Sequence, residues 1–313
     1  MNFRILSTLF LLPCGPALFA ADGRIPIASA PYTISAPGNY YLTKDLAPAA
    51  GTAITINADN VVLDLNRHLI TVVTGTFGIY SGNHTELTIL NGRLAGGAYS
   101  VYLESTAALP ANPHFRVEGL EVTTSSAYGI YVTGIPSNHI RAEVTGNRVA
   151  KIAGVGITGQ YLDHSRIENN LSREATIGSS GGGSCIAFLI MLDSVIAGNQ
   201  VSQCQTDGLS LFQGINNRVE NNHAAGAGGV GLRVYNTANG NSILNNSVSA
   251  SASGIGVTGN GNLVDGNTVT TSTGQAINVG GNNNAYANNH TMNNGTNGVT
   301  ASGTGNFNGG GNY

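Results

Sequence analysis

Two groups of side chains in this sequence have the chemistry of a functional site, and the first group is charged. Carboxylates beside an arginine or a histidine can neutralise an acidic substrate or position a cation while a base abstracts a proton. In the aligned repeats Arg166 lies beside Glu143 and Glu168 and should stay protonated. His164, next to Asp163, is therefore the better base. A solvated ladder of surface ion pairs is the competing interpretation. The whole group comprises Arg141, Glu143, Asp163, His164, Arg166, Glu168, Asp193, Arg218 and Glu220.

The second group is aromatic and contains Tyr80, Tyr102 and Tyr131, at equivalent positions of the segments GIY, SVY and GIY. If these segments are strands on successive coils of a solenoid, the tyrosines form an outward column that suits sugar rings. Glu104 lies two residues beyond Tyr102 on the same strand and adds a hydrogen-bond acceptor. The competing interpretation is an aromatic stack that only stabilises the sheet surface. The absence of Trp from the chain weighs against the sugar-binding interpretation.

Both groups are positioned by an internal repeat, in which an asparagine recurs about every 21 to 24 residues apart from one longer step. A coil of this length with two or three short strands and no helical period predicts a parallel β-helix, in which equivalent residues stack about 4.8 Å apart. Asparagine suits the corners because it tolerates the left-handed backbone, and its amide can bond to the asparagine of the next coil. The column is Asn147, Asn170, Asn199, Asn222, Asn246, Asn267 and Asn289.

A second strand precedes each asparagine strand, and its alternating apolar residues, such as Ile130 and Val132, are expected in the core. The longer step into Asn199 contains the glycine-rich stretch Ile177–Gly183, which predicts a protruding loop. A leucine-rich repeat also has an asparagine column, but this chain lacks its dense leucine pattern. The predicted fold class is all-β, a single-stranded right-handed parallel β-helix of roughly ten coils.

The repeat also sets the expected organisation of the chain. Met1–Ala21 has one early cation, an apolar run and a small-residue end, which predicts a cleaved export signal over 1–21. A membrane anchor is the alternative, although the apolar run is short for a span. An N-terminal cap is expected at 22–50, the β-helix at 51–295, and a Gly/Asn-rich tail that frays at 296–313. Cys185 and Cys204 could pair in an oxidising compartment or remain buried thiols.

The stretch from Tyr32 to Asn289, with its asparagine column and paired strands, resembles secreted bacterial proteins of the pectate-lyase-like superfamily. The resemblance implies the right-handed β-helix fold, whereas the functions in that superfamily range from lyases, hydrolases and epimerases to adhesins and accessory proteins. The enzyme motifs of the superfamily are largely missing. Thr206-Asp207-Gly208 resembles part of the polygalacturonase Asn-Thr-Asp motif without its later partners. Pro113-His114 lacks the flanking aspartates of alginate epimerases.

The composition of the chain limits the classes of partner that it can bind. The chain has 13 Lys+Arg against 16 Asp+Glu, which gives no basic field for nucleic acid, and no stretch of the mature chain predicts a membrane span. Seven scattered His and three Met do not cluster as the copper-accessory role of some β-helix relatives would require. We predict no metal site and no cofactor, with Ca²⁺ considered only for a lyase. We therefore expect a secreted or periplasmic, noncatalytic scaffold, monomeric or a small homo-oligomer, that binds polysaccharide or mediates surface contacts. The alternative is a lyase or glycoside hydrolase that acts on acidic polysaccharide.

Overall fold

The computed structural model describes residues 23–105, 113–178 and 181–313. Within these ranges the chain forms 35 β-strands and no helix, and the strands wind into a parallel β-helix of about 12 coils, two more than the repeat predicted. Accordingly, this part of the chain contains no helix long and apolar enough to cross a membrane. The predicted export signal at 1–21 lies outside the described residues.

One sheet, called sheet 1 below, takes a single strand from each coil, and every neighbouring pair in it is parallel. Its inward residues are mostly β-branched or leucine, which pack well on a pleated surface. The strands are β2 (Tyr32–Ile34), β4 (Ile54–Ile56), β7 (Phe77–Gly82), β9 (Tyr99–Glu104), β11 (Tyr128–Thr133), β14 (Val155–Asp163), β19 (Ile186–Leu192), β22 (Leu209–Ile215), β25 (Val230–Tyr235), β28 (Ser253–Thr258), β31 (Gln275–Gly280) and β34 (Thr296–Ser302).

The other large sheet, sheet 2, takes two strands from most coils, separated by the asparagine corner. Its strands are β1 (Ile25–Ile27), β3 (Gly38–Leu42), β5 (Val61–Asp64), β6 (Leu69–Val72), β8 (Leu87–Gly96), β10 (His114–Thr123), β12 (Arg141–Thr145), β13 (Arg148–Ala150), β15 (Arg166–Glu168), β16 (Leu171–Arg173), β20 (Val195–Ala197), β21 (Gln200–Ser202), β23 (Arg218–Glu220), β24 (His223–Ala225), β26 (Ser242–Leu244), β27 (Ser247–Ser249), β29 (Leu263–Asp265), β30 (Thr268–Thr270), β32 (Ala285–Ala287), β33 (His290–Met292) and β35 (Phe307–Gly310).

The core is one continuous apolar column between the sheets, from Ile27 to Val279. Ile130 and Val132 are fully buried in it, as the alternation predicted. Val155 is also buried, but it lies outside the core cluster. It pairs with Tyr128, whose side chain is on the outer face of sheet 1. Burial of about 25 cal/mol per Å² of apolar surface makes this column the main source of stability.

The predicted asparagine column is a hydrogen-bonded ladder. Each ladder amide donates from Nδ2 to Oδ1 of the asparagine one coil further on, over 2.9 to 3.0 Å, from Asn147 through to Asn312. Nδ2 also donates to a backbone carbonyl of the preceding coil, and Oδ1 accepts the backbone N–H of the preceding ladder asparagine. Asn147 to Asn289 are all buried, so the ladder satisfies polar groups that would otherwise be unpaired beside the core.

The structure corrects one detail of the ladder and adds a second one. The left-handed backbone belongs to the residue before each ladder asparagine, such as Asn169 or Asn221, because the ladder residue itself must point inward. A second ladder, absent from the sequence interpretation, lies at the corner between sheet 1 and sheet 2. Its amides are 3.1 Å apart and buried, and it consists of Asn217, Asn241, Asn262 and Asn284.

Both ends of the solenoid extend further than predicted. In the expected cap at 22–50, β1 pairs with β3 and β2 pairs with β4 in the parallel registers of an ordinary coil. In the expected tail at 296–313, β34 pairs with β31 and β35 pairs with β32, so this segment forms one more coil instead of fraying. The reason is that Asn306 and Asn312 extend the two ladders by one step.

The predicted loop at Ile177–Gly183 contains a short antiparallel hairpin, formed by β17 (Ile177–Gly178) and β18 (Gly181–Gly182). Next to it a disulfide joins Cys185, just before β19, to Cys204, just after β21. The two thiols therefore pair, which is one of the two alternatives that the sequence left open. The bond ties the inserted segment to the following coil.

We expect the disulfide to contribute about 3 kcal/mol, because it closes a loop with a sequence separation of 19 residues and so restricts the unfolded chain. Reduction should lower the melting temperature. The double variant Cys185→Ala/Cys204→Ala should melt at the reduced value and show no further response to reductant. Equal melting temperatures with and without reductant in the unmodified protein would contradict this expectation.

Candidate functional site

The aromatic group lies on sheet 1 and is larger than predicted. Tyr80, Tyr102 and Tyr131 are in register on β7, β9 and β11, as the repeat predicted. A second column, Phe77, Tyr99 and Tyr128, runs beside the first on the same strands. All six side chains are half-buried, and together they are called the aromatic stack here.

The rings of the aromatic stack pack on one another along the solenoid axis. Centroid distances between contacting rings run from 4.8 Å, for Phe77 and Tyr80, to 6.3 Å, for Tyr99 and Tyr131, and the interplanar angles from 14° to 39°. Such offset stacking adds about 0.5 to 1.5 kcal/mol per pair beyond the buried area. Since the ring faces cover each other, the ring edges and hydroxyl groups are what remains for a ligand. This differs from the flat platform that the sequence suggested.

Glu104 anchors one side of the aromatic stack. The hydroxyl of Tyr80 donates to Oε1 over 2.7 Å, and the hydroxyl of Tyr102 donates to Oε2 over 2.6 Å. The bond to Glu104, followed by burial, raises the pKa of Tyr80 to about 12, and burial together with Glu104 also raises the pKa of Tyr102. Burial raises the pKa of Tyr131 to about 12. By contrast, the hydroxyls of Tyr99 and Tyr128 form no hydrogen bond within the described residues.

The raised tyrosine pKa values predict a loss of stability in alkali. The pKa of Tyr80 is about 12 in the folded protein against 10.0 for an ordinary tyrosine, so its contribution is complete below pH 10 and is lost as the pH rises towards 12. A tyrosinate absorbance titration should show a late group of tyrosines beside ordinary ones. In Glu104→Gln, Tyr80 should titrate closer to 10. A single transition near pH 10 in the unmodified protein would contradict the arrangement.

The charged group divides into two parts. Arg166 and Glu168 belong to a ladder of ion pairs within single strands, in which an arginine bonds the glutamate two residues on; the Arg166 to Glu168 distance is 3.1 Å. The arginines are about half exposed, so each pair contributes little. This part matches the competing interpretation made from the sequence. The other pairs of this type are Arg116–Glu118, Arg141–Glu143 and Arg218–Glu220.

The second part surrounds a cleft of about 430 Å³ at the corner where sheet 1 passes into sheet 2. At its centre His114 lies between two carboxylates: Nδ1 is 3.7 Å from Glu86 and Nε2 is 3.6 Å from Glu143. Glu143 also accepts a hydrogen bond from Arg141 over 3.2 Å. The cleft is lined by Glu86, His114, Arg141, Asp163 and His164.

Two polar atoms of this cleft are buried without a hydrogen-bond partner, Nε2 of His114 and Oδ1 of Asp163. Nδ1 of His164 lies 2.8 Å from Asp163 Oδ1, but the geometry of that contact is not the geometry of a hydrogen bond. The His164 side chain is 71% exposed, against 26% for His114. Buried polar atoms without a hydrogen bond are uncommon, and these two belong to residues that line the cleft although the atoms themselves are covered.

The charged group predicted from the sequence included Arg141, Glu143, Asp163 and His164 of this corner but left out Glu86 and His114. A signal was available, because His114 pairs with Arg141 and Glu86 precedes Leu87, which pairs with Phe115. The first coils have a more degenerate repeat than the later ones, which hid this register. Among the residues that the structure describes, no three His, Cys, Asp or Glu side chains are arranged to hold a metal ion.

Comparison with known structures finds the same fold in carbohydrate-active enzymes. The A-module of the mannuronan C-5 epimerase AlgE4 of Azotobacter vinelandii is 15% identical and superposes with a TM-score of 0.56 over 87% of this chain and 88% of that chain. The periplasmic alginate epimerase AlgG is 13% identical, with a TM-score of 0.51 over 91% of this chain and 75% of that chain. The catalytic unit of a GH87 α-1,3-glucanase from Streptomyces thermodiastaticus is 15% identical, with a TM-score of 0.54 over 93% of this chain and 63% of that chain.

At these identities the likeness shows the fold alone. No curated protein matches the sequence significantly. The family model described as "Right handed beta helix region" matches residues 77–269, which is well over half of the chain and includes both the aromatic stack and the cleft. The observed parallel coils, the ladders and this match agree, and the chain belongs to the right-handed β-helix family.

Proposed function

We propose that this protein is an exported, noncatalytic scaffold that binds a neutral polysaccharide along the aromatic stack. The observation that carries the proposal is the pair of free hydroxyls, Tyr99 and Tyr128, beside a carboxylate that two other tyrosines hold in place. Sugar hydroxyls donate well to a carboxylate and accept from phenols. The charge of Glu104 favours a neutral sugar over an acidic one, because like charges repel.

Two further observations support the proposal. The aromatic stack spans three successive coils, about 10 Å at the spacing of parallel strands, so it can contact several sugar units of one chain. Its rings hold each other in place, which reduces the entropy that a ligand must remove on binding. The disulfide between Cys185 and Cys204 supports export, because such bonds persist in oxidising compartments.

The test is the double variant Tyr99→Phe/Tyr128→Phe, which removes two hydroxyls and keeps both rings. A hydrogen bond contributes about 1 kcal/mol, so affinity for a neutral glycan found on an array should fall about tenfold or more while the melting temperature stays unchanged. Tyr235→Phe, on sheet 1 outside the stack, is the matched control. Unchanged affinity in the double variant, or no neutral glycan bound by the unmodified protein, would refute the proposal.

A second candidate function is proton transfer on an acidic polysaccharide at the cleft, as in a lyase or hydrolase. It is favoured by the cleft lining, in which His114 lies between two carboxylates beside the cationic Arg141. Arg141 could neutralise a sugar carboxylate while a histidine moves the proton. Incubation with acidic polysaccharides, with and without Ca²⁺, should then release unsaturated products or new reducing ends. No product from any polyuronate would exclude this candidate.

A further inference from the structure

We propose that a groove on sheet 2 binds a linear anionic polysaccharide through Arg67, Arg93, Arg148, Lys151 and Arg173. The groove follows the asparagine corner and the sheet 2 strand that comes after this corner in each coil. These strands are β6, the second halves of β8 and β10, β13 and β16. It does not involve sheet 1, the aromatic stack or the histidine cleft. The inference therefore does not rest on the proposed function.

The groove concentrates cations that are not paired with a carboxylate. Five of the 13 Lys+Arg residues of the chain lie along this groove, and all five are exposed. Within the part of the chain that the structure describes, four of them form no ion pair, and Arg173 has a 3.5 Å contact with Glu174. Most other arginines of the described chain are paired with a carboxylate. Exposed cations without a paired carboxylate keep a positive potential towards solvent, which attracts an anionic ligand.

The surface beside these cations has the shape of a groove. Two adjoining cavities of about 410 and 320 Å³ share Glu121 and Arg148, so they form one groove. A third cavity, of about 300 Å³, continues from Arg148 along the asparagine corner. Arg93, Glu121 and Arg148 are in register on three successive coils, which places the two arginines about 10 Å apart. The cations therefore follow the solenoid axis, as a linear ligand would.

The acidic side chains near the groove do not neutralise the charge of its cations. Glu121 lies in register between Arg93 and Arg148, and among the described residues no ion pair joins it to either of them. Asp45 is engaged by the backbone N–H of Leu69 and by His68, and these contacts, together with the charge of nearby Arg93, lower the pKa of its carboxyl. Glu174 contacts Arg173. An excess of positive charge remains, and Glu121 gives the groove one acceptor for a sugar hydroxyl.

The lining favours a glycan over a nucleic acid. Beside the cations it offers Asn91, Thr123 and Thr124, which suit sugar hydroxyls, and it has no aromatic side chain for base stacking. The whole chain has a pI of about 6.1, whereas nucleic-acid-binding domains are typically basic. An acidic polysaccharide carries one anion per acidic sugar together with free hydroxyls, which matches a sparse row of cations among amides and hydroxyls.

The test uses size-defined oligogalacturonate as the probe, with affinity measured at two salt concentrations. Binding should weaken as salt rises, because the contacts are exposed ion pairs. Arg93→Gln/Arg148→Gln should lower the affinity about fivefold to thirtyfold and reduce the salt dependence. The control Arg24→Gln/Arg218→Gln removes the same net charge elsewhere. It should change the affinity less than twofold, and neither pair should shift the melting temperature by more than a few degrees.

Three outcomes would overturn the proposal. The first is that oligogalacturonate does not bind at low salt. The second is that the control pair loses as much affinity as Arg93→Gln/Arg148→Gln, which would mean that only net charge matters. The third is that duplex DNA competes more strongly than oligogalacturonate, which would make the groove a nucleic-acid site. Tyr99→Phe/Tyr128→Phe should leave this binding unchanged, so the two glycan sites are tested separately.

Discussion

Asn222→Ala should destabilise the protein by about 3 kcal/mol or more, measured by denaturant unfolding. Asn222 is buried near the middle of the first ladder, and its Nδ2 donates to Asn246 and to the carbonyl of Ile196. Its Oδ1 accepts from the backbone and the side chain of Asn199. The substitution leaves several buried groups without partners, and each such group costs about 1 to 3 kcal/mol.

The adjacent residue provides the matched control. Asn221 is exposed and holds the left-handed turn with φ of 53°, a conformation that glycine also adopts. Asn221→Gly should therefore change the free energy of unfolding by less than about 1 kcal/mol. The two substitutions would then differ in their effect on the free energy of unfolding, because Asn222 is a ladder residue and Asn221 a turn residue. Equal effects of the two substitutions would show that the ladder is solvated and contributes little.

The asparagine column made the fold predictable, because an asparagine at seven equivalent positions of the repeat fixes the length and the stacking of the coils. The second ladder repeats the same signal five residues earlier, at Asn217 and Asn241 for example, and only the alignment on the first column hid it. The extra C-terminal coil was harder to foresee, since Gly and Asn are typical of both a frayed tail and a corner. Its strands become clear only when Asn306 and Asn312 are placed on the ladders.

The candidate sites were less predictable, because they depend on side chains from different coils. Register alone placed Tyr80, Tyr102 and Tyr131 together, but ring stacking needs coordinates. Sequence spacing could not show that Phe77 and Tyr99 interleave with them and cover their faces. Likewise, the cations of the basic groove come from four coils, with at most two in any one of them, so no local stretch of sequence is strongly basic.

The surface chemistry of the solenoid differs from side to side. Sheet 1 carries aromatic hydroxyls and a carboxylate, which suit neutral sugars, whereas the strip on sheet 2 carries unpaired cations, which suit acidic ones. A solenoid presents such strips in parallel along its axis, because each coil adds one residue to every column. If both proposals hold, the protein binds a neutral and an acidic polysaccharide on different faces of the solenoid.

If the cleft is catalytic, His114→Ala should lower the turnover of an acidic polysaccharide by about 10² to 10⁴-fold, the loss typical of a general acid or base. His114 lies at the centre of the cleft, with its two ring nitrogens facing Glu86 and Glu143. His164→Ala should have a smaller effect because that side chain is largely exposed. The control His223→Ala, on β24 away from the cleft, should retain full turnover. A large loss in His164→Ala with normal turnover in His114→Ala would instead make His164 the base, as the sequence suggested.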